Sequence, residues 1–240
     1  MSVPQYPVGS LLTAAETANR VEIDTLAPDG TVLIIAPHPD DETFGCGLAL
    51  AAAALRNRRI AIVLLTDGEG SHPNASKLGP KKLADLRSNE FVRALSFLAP
   101  MGEVNVLRLH LPDGKSRYHR SQLLRVLPFS LAQSASVVWS TWRGDPHCDH
   151  ETAAALGLEV ARRLSVPFWS FAVWGRFGKR AIPTGLQTFH APGLVDLKCK
   201  AIAAYRSQTD PQVIDDPNGF TMPASLVTHF ATHPELFIRG

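Results

Sequence analysis

The chain has 240 residues, 45% of them hydrophobic and 19% charged, with a formal net charge of +2. That length supports one large domain with a substantial core, and the small net charge offers no general attraction to nucleic acid or to a membrane surface. Cys46, Cys148 and Cys199 are odd in number and form no CxxC pair, which points to reduced thiols in a cytosol and away from a disulfide framework.

Met1 to Arg20 lacks the basic segment and apolar core of a signal peptide, and it holds a short helical stretch over Leu11–Arg20. After a turn at Pro28-Asp29-Gly30, the run Thr31–Ala36 is β-branched and continuously apolar, as expected of a fully buried strand. An alanine-rich helix is expected over Phe44–Arg58, ending in basic residues that suit a helix C-terminus. Ile60–Thr66 is a second buried strand, followed by the polar, glycine-rich loop Asp67–Asn74. A long amphipathic helix is expected from about Pro80 to Leu98, then a strand over Val104–His110. Ser121–Gln133 reads as a helix, Ser136–Thr141 as a strand, Glu151–Leu164 as a helix and Val166–Val173 as a fifth strand. Beyond it the pattern loosens to a short strand at Leu186–Phe189, a helix over Val195–Arg206 and a tail, Asp210–Gly240, expected to act as a lid or an edge strand.

Strand and helix alternate, which predicts an α/β protein: a Rossmann-like, mainly parallel sheet with helices on both faces. No apolar run approaches bilayer length, so a single cytoplasmic domain over 1–240 is expected, with a core at about 30–173 and a C-terminal substrate or lid region at about 174–240.

Two clusters stand between a buried strand and the helix after it, where open α/β sheets place their sites. The first is Pro37-His38-Pro39-Asp40-Asp41-Glu42 and the second is Gly144-Asp145-Pro146-His147-Cys148-Asp149-His150. Acidic residues at a helix start also serve as plain caps, so the first cluster alone does not separate capping from chemistry. The second cluster does, because His38, Asp41 and one of His147 or His150 would supply three protein ligands and leave a position open, the layout of a catalytic zinc. Asp40 lies between the ligands in sequence and is free to accept a proton.

These residues resemble the PIG-L/LmbE family of metal-dependent N-acetylglucosaminide deacetylases. Thr66-Asp67-Gly68, Arg87-Ser88-Asn89-Glu90, Leu111-Pro112-Asp113-Gly114 and Ala203-Ala204-Tyr205-Arg206-Ser207-Gln208 extend the resemblance, with Tyr205 where the family usually has histidine. The resemblance implies removal of an acetyl group from an N-acetylated amino sugar or glucosaminide conjugate, with Zn2+ or another divalent metal such as Fe2+. It assigns His38, Asp41 and His150 as metal ligands and Asp40 as general base. It further assigns His147 to protonate the leaving amine or stabilise the oxyanion, with Asp149 orienting it, and Arg87 and Asp113 to the sugar. Arg143 and Asp145, at the start of the second motif, are further candidates for substrate contact or for bracing the loop.

Other features carry bland readings. Gly45-Cys46-Gly47 lacks the last glycine of a dinucleotide motif, since Leu50 stands there. Cys148 is expected to point away from a face holding both histidines. His72, His110, His190, His229 and His233 lack partners at ligand spacing and are expected on the surface or in loops. Competing functions are a metal amidohydrolase acting on a non-sugar amide such as a thiol conjugate, a Rossmann-like sugar-binding protein without turnover, and an enzyme binding a nucleotide or methyl donor.

Overall fold

The structure, a computed structural model, describes residues 8–119, 123 and 134–240. The expected helix over Ser121–Gln133 lies outside the described residues apart from Leu123.

Among the described residues, eight strands form one sheet: β1 Asn19–Arg20, β2 Thr31–Ala36, β3 Arg59–Thr66, β4 Val104–Leu111, β5 Ala135–Thr141, β6 Phe168–Phe171, β7 Leu186–Phe189 and β8 Glu235–Arg239. Their order is β1-β7-β8-β6-β5-β2-β3-β4, and every neighbouring pair is parallel except those made by β8. The α/β, mainly parallel architecture read from the alternation is therefore present. β2 shows why the central strands lack a polar face. Val32 and Ile34 enter the core beneath helices Asp41–Leu55, Pro80–Leu98 and Val195–Ala204, while Leu33 and Ile35 enter the core beneath helix Cys148–Leu164. Covered on both sides, the strand is apolar at every position.

Local differences from the sequence reading have tertiary causes. The first helix stops at Ala15, and Asn19–Arg20 pairs with Gln187–Thr188 as β1, because a sheet edge is available to the extended chain. The alanine-rich helix starts at Asp41, not Phe44, so the acidic residues form its first turn. The tail does not end as an edge strand: after helix Ala224–Thr232, β8 is inserted between β6 and β7 and is buried over Glu235–Ile238. His229 is buried within helix Ala224–Thr232, contrary to the surface or loop expectation, whereas His72 lies in a loop as expected but is buried there, with Ser71 Oγ at 3.0 Å.

The sheet reverses its winding at β2. The chain proceeds outward through β3 and β4, then returns to place β5 on the other side of β2. A crevice opens at the carboxyl ends of two adjacent parallel strands at such a point. Both sequence clusters emerge there, one from β2 and one from β5. Among the described residues, no helix is long and apolar enough to cross a membrane.

Candidate active site

The segment after β2 turns sharply into its helix. Asp40, at the helix N-cap, has a φ of 143°, a strained value for a residue with a side chain. Three contacts hold it there. Arg87, from helix Pro80–Leu98, donates from Nη2 to Asp40 Oδ2 and to the Pro39 carbonyl, both at 2.9 Å, and Glu42 Oε2 accepts the Asp40 N–H at 3.3 Å. Arg87 Nη1 also donates to the Gly68 carbonyl at 2.9 Å. Gly68 has φ +69°, and a Cβ there would lie 2.0 Å from Arg87 Nη1, so only glycine allows the loop after β3 to close on the guanidinium. Arg87 is 3% exposed and all of these partners are protein groups. Its side chain, expected near the sugar, is buried against the Asp40 carboxylate and two carbonyls.

Asp41 bridges two imidazoles. Its Oδ2 lies 3.0 Å from His38 Nδ1 and accepts the His38 backbone N–H at 3.0 Å, while its Oδ1 lies 3.3 Å from His150 Nε2. His38 Nε2 faces Asp113 Oδ1 at 3.1 Å and Asp149 Oδ2 at 3.3 Å. Carboxylates only accept, so both His38 nitrogens act as donors and the ring is held as an imidazolium. Burial works against that charge, but the contacts with Asp113, Asp149 and Asp41 outweigh it and raise its pKa well above the ordinary value. For Asp41, burial is overcome by His150 and His38, and its pKa falls to about 2. Asp40 moves the other way. Burial, reinforced by Asp41 and opposed by Arg87, lifts it to about 7.

The second cluster opens helix Cys148–Leu164. His147 is its N-cap and accepts the Asp149 backbone N–H at Nδ1, 3.2 Å away. A neutral ring with Nδ1 accepting carries its proton on Nε2. The ring is neutral, because burial together with His38 and His150 lowers its pKa to about 4. The Asp149 carboxylate does not hold His147 as expected. It accepts from the Gly114 N–H at 2.7 Å and from Ser116 N and Oγ at 3.0 and 2.6 Å, and it faces His38. As the third residue of the motif it turns its side chain toward the Leu111–Gly114 loop, which leaves only its backbone for His147.

His150 is fully buried and is fixed by a residue to which the sequence reading gave no definite role. Asp145 Oδ2 accepts its Nδ1–H at 2.8 Å and the Val173 N–H at 3.1 Å, and Oδ1 accepts the Gly175 N–H at 2.7 Å. The signal available in sequence was an acid five residues before a candidate ligand, without any mark of which way it faced. Among the described residues, His150 Nε2 has no hydrogen-bond partner, and it lies 3.3 Å from Asp41 Oδ1. Burial works against charge on this ring, but Asp41 and Asp145 outweigh it and raise its pKa. A buried ring nitrogen without a hydrogen-bond partner, beside a carboxylate, suits a metal ion in the place of the proton.

His38, His147 and His150 each offer an atom within 4.8 Å of the others. Their ring centroids lie 4.8 to 5.5 Å apart. With the Asp41 carboxylate between two of them, this nitrogen and oxygen donor set fits a borderline divalent cation. Cys148, expected to point away, also comes within 4.8 Å of His147 and Asp149 donors. Burial and Asp149 raise its thiol pKa, and Sγ lies 3.3 Å from the Gly114 carbonyl, so it stands as a protonated thiol. Asp113, a candidate for the sugar, accepts the Gly70 N–H at 3.0 Å and faces His38 at the rim. Arg143 is exposed beside the second cluster.

Residues 33–161, more than half of the chain, match the family model described as PIG-L, GlcNAc-PI de-N-acetylase. A 1D-myo-inositol 2-acetamido-2-deoxy-alpha-D-glucopyranoside deacetylase from Kineococcus radiotolerans is 27% identical over 156 residues, covering 62% of this chain and 40% of that protein. The chain thus spans less than half the length of this curated relative. Among solved structures, the N,N'-diacetylchitobiose deacetylase from Pyrococcus horikoshii aligns with a TM-score of 0.62 at 21% identity, covering 85% of this chain and 78% of that one. A 4-carboxy-2-hydroxymuconate hydratase from Pseudomonas putida aligns at 0.59 and 18% identity over 83% and 82% of the two chains. One fold carries both chemistries, so the likeness in structure establishes the architecture and the side chains must argue the reaction.

Proposed function

Because the chain belongs to the PIG-L family of GlcNAc-PI de-N-acetylases, we propose that it is a metal-dependent hydrolase that removes an acetyl or related acyl group from an N-acetylated amino sugar or its conjugate. The observation that carries this reading is the convergence of three imidazoles within 4.8 Å beside a buried carboxyl group with a pKa of about 7. His38, Asp41 and His150 would hold the ion, with Zn2+ first and Fe2+ second by donor chemistry. When bound, such an ion supplies Lewis-acid polarisation of the amide carbonyl and an acidified water.

The remaining work falls to the chain's own groups. Asp40 accepts the proton of the attacking water and returns it to the leaving nitrogen as the C–N bond breaks, and a group poised near neutrality serves as base and then acid most effectively. His147, neutral with its proton on Nε2, donates to the oxygen on which negative charge develops. Of the two roles implied for it, stabilising the oxyanion fits its lowered pKa better than delivering a proton from an imidazolium. Asp113, at the rim and 3.1 Å from His38 Nε2, is proposed to accept a hydrogen bond from a sugar hydroxyl. Arg143, exposed at the same edge, is proposed as a further substrate contact.

The C-terminal region supports a role as a wall of the cleft. Asn74 N donates to Asp216 Oδ2 at 2.8 Å, Phe220 N donates to the Ser71 carbonyl at 2.8 Å, and Ser76 Oγ bonds Asp215, which ties the tail to the loop after β3. A cytoplasmic setting agrees with the unpaired cysteines.

A sugar-binding protein without turnover would have no use for a strained N-cap carrying a buried carboxyl group. An amidohydrolase on a non-sugar amide remains the alternative and shares every step above. The test is metal stripping with a chelator, add-back of Zn2+ or Fe2+, and a panel of N-acetylated sugars and N-acyl thiol conjugates scored for a newly freed amine. Metal-dependent amine release from the sugars is expected. Release from the thiol conjugates alone selects the alternative, and no release from either class in metal-loaded protein refutes the proposal.

A further inference from the structure

Helix Asp41–Leu55 is two helical pieces joined at Cys46, whose φ of −140° and ψ of 23° leave the helical region. In an unbroken helix the Leu48 N–H would donate to the Phe44 carbonyl and the Ala49 N–H to the Gly45 carbonyl. Here Leu48 N donates to Glu235 Oε1 at 2.6 Å and Ala49 N to Glu235 Oε2 at 2.9 Å. The Phe44 carbonyl accepts instead from Lys198 Nζ at 3.0 Å, and Lys198 and Glu235 form an ion pair at 2.6 Å. The ion pair is therefore spliced into the missing Leu48–Phe44 backbone hydrogen bond, and its anion also takes the Ala49 N–H. Its anion caps the start of the second piece and its cation caps the end of the first, each at the helix end whose partial charge favours it.

Both side chains are fully buried. A buried ion pair is a poor way to gain stability, since its desolvation cost rivals its attraction and apolar replacements are often as stable. A continuous helix would need no such pair. The break nonetheless has a consequence at the site, because the short first piece bears Asp41, with Asp40 as its N-cap. Gly45, just before the break, packs so closely on β6 that a Cβ would lie 2.3 Å from the Phe171 ring. The turn carrying the acidic residues is thus held from behind by β6, by β8 through Glu235 and by helix Val195–Ala204 through Lys198.

We infer that Lys198 and Glu235 are positioning residues for the active site: together they hold the helix open at Cys46 and so set the direction from which Asp40 and Asp41 enter the crevice. The inference rests on the metal-site reading above only for its functional consequence.

The test is the full-length Lys198→Met/Glu235→Leu double variant, which removes both charges together and leaves neither partner buried alone. Its Leu48 N–H then has only the Phe44 carbonyl to bond, so a crystal structure should show a straighter helix and a displaced Asp40–Phe44 turn. Zn2+ affinity, read by competition with a chromophoric chelator, should fall by about 10–100-fold, as for lost support behind a metal ligand. kcat should fall while KM stays within about two-fold, a split that general loosening of the fold would not give. Lys198→Arg, which keeps the cation, should restore most of the affinity. A double variant with the break, the turn and the metal affinity of the parent overturns the inference. So does one that fails to fold, since the pair would then be a foundation of the core. A parent protein that binds no Zn2+ would count against the metal-site reading alone, and the variant's helix geometry would still decide the role of the pair.

Discussion

Asp145→Asn is the substitution from which most can be learned about the proposed metal site. The Asp145 carboxylate is 1% exposed and accepts three hydrogen bonds, from His150 Nδ1 at 2.8 Å, Val173 N at 3.1 Å and Gly175 N at 2.7 Å. An asparagine amide has the same shape but only one accepting oxygen. If that oxygen stays with Gly175, the amide NH2 group faces both the Val173 N–H and His150 Nδ1. His150 then relieves the clash by becoming an acceptor at Nδ1 and moving its proton to Nε2. That is the nitrogen now without a hydrogen-bond partner and 3.3 Å from Asp41 Oδ1. The lone pair proposed for the metal is lost without any change to a ligand. Support behind a metal-binding histidine is typically worth about 10–100-fold in affinity, and the lost charged hydrogen bond should destabilise the fold by about 1.5–3 kcal/mol. For a chain of this size that is a fall in Tm of about 3–12 °C. Zn2+ affinity by chelator competition and Tm by calorimetry on the metal-free protein measure the two effects separately. An Asp145→Asn protein that binds Zn2+ as tightly as the parent would refute the reasoning, whatever its Tm.

Asp40→Asn preserves shape and removes the base, so metal content should be unchanged while kcat falls by about two to four orders of magnitude; near-parental turnover would exclude Asp40 as the base. Arg87 holds the Asp40 pKa down against burial, so Arg87→Met should raise it above about 7, depress activity at neutral pH and move the acid limb of kcat/KM upward, whereas Arg87→Lys should largely retain the parental limb. A rise in KM with an unmoved limb would restore Arg87 as a substrate contact. His229, distant in sequence from both clusters, provides a stability test. Its ring is buried, neither nitrogen has a hydrogen-bond partner among the described residues, and burial, aided by Arg176 and His233, lowers its pKa to about 3. The unfolded chain therefore binds the extra proton between about pH 6.5 and 3, and the stabilisation present above pH 6.5 is lost as the pH falls. Between pH 7.5 and 5 the parent should lose about 1–2 kcal/mol more than His229→Leu in denaturant unfolding; equal losses would mean that His229 is protonated without cost in the folded state.

The sequence by itself determined the layer architecture and the sheet edge at which the two polar clusters meet. Continuous apolar runs such as Thr31–Ala36 can be satisfied only between two covered faces, and their alternation with helices leaves a mainly parallel sheet. Histidines and acids placed just beyond two such strands must then lie at one edge of that sheet; His38, His147 and His150 do meet there, with Asp41 between His38 and His150. Only the tertiary structure decided which way the remaining polar side chains face. Arg87 read as a sugar contact, but the φ of Gly68 and the close approach of its carbonyl turn the guanidinium inward to Asp40. Asp149 read as the partner of His147, but the loop after β4 supplies two N–H groups and a hydroxyl that claim its carboxylate. Asp145 and the Lys198–Glu235 pair act across separations of 5, 28, 37 and 187 residues. No local periodicity records such contacts, because a buried charge is fixed by whichever donor the completed fold brings to it.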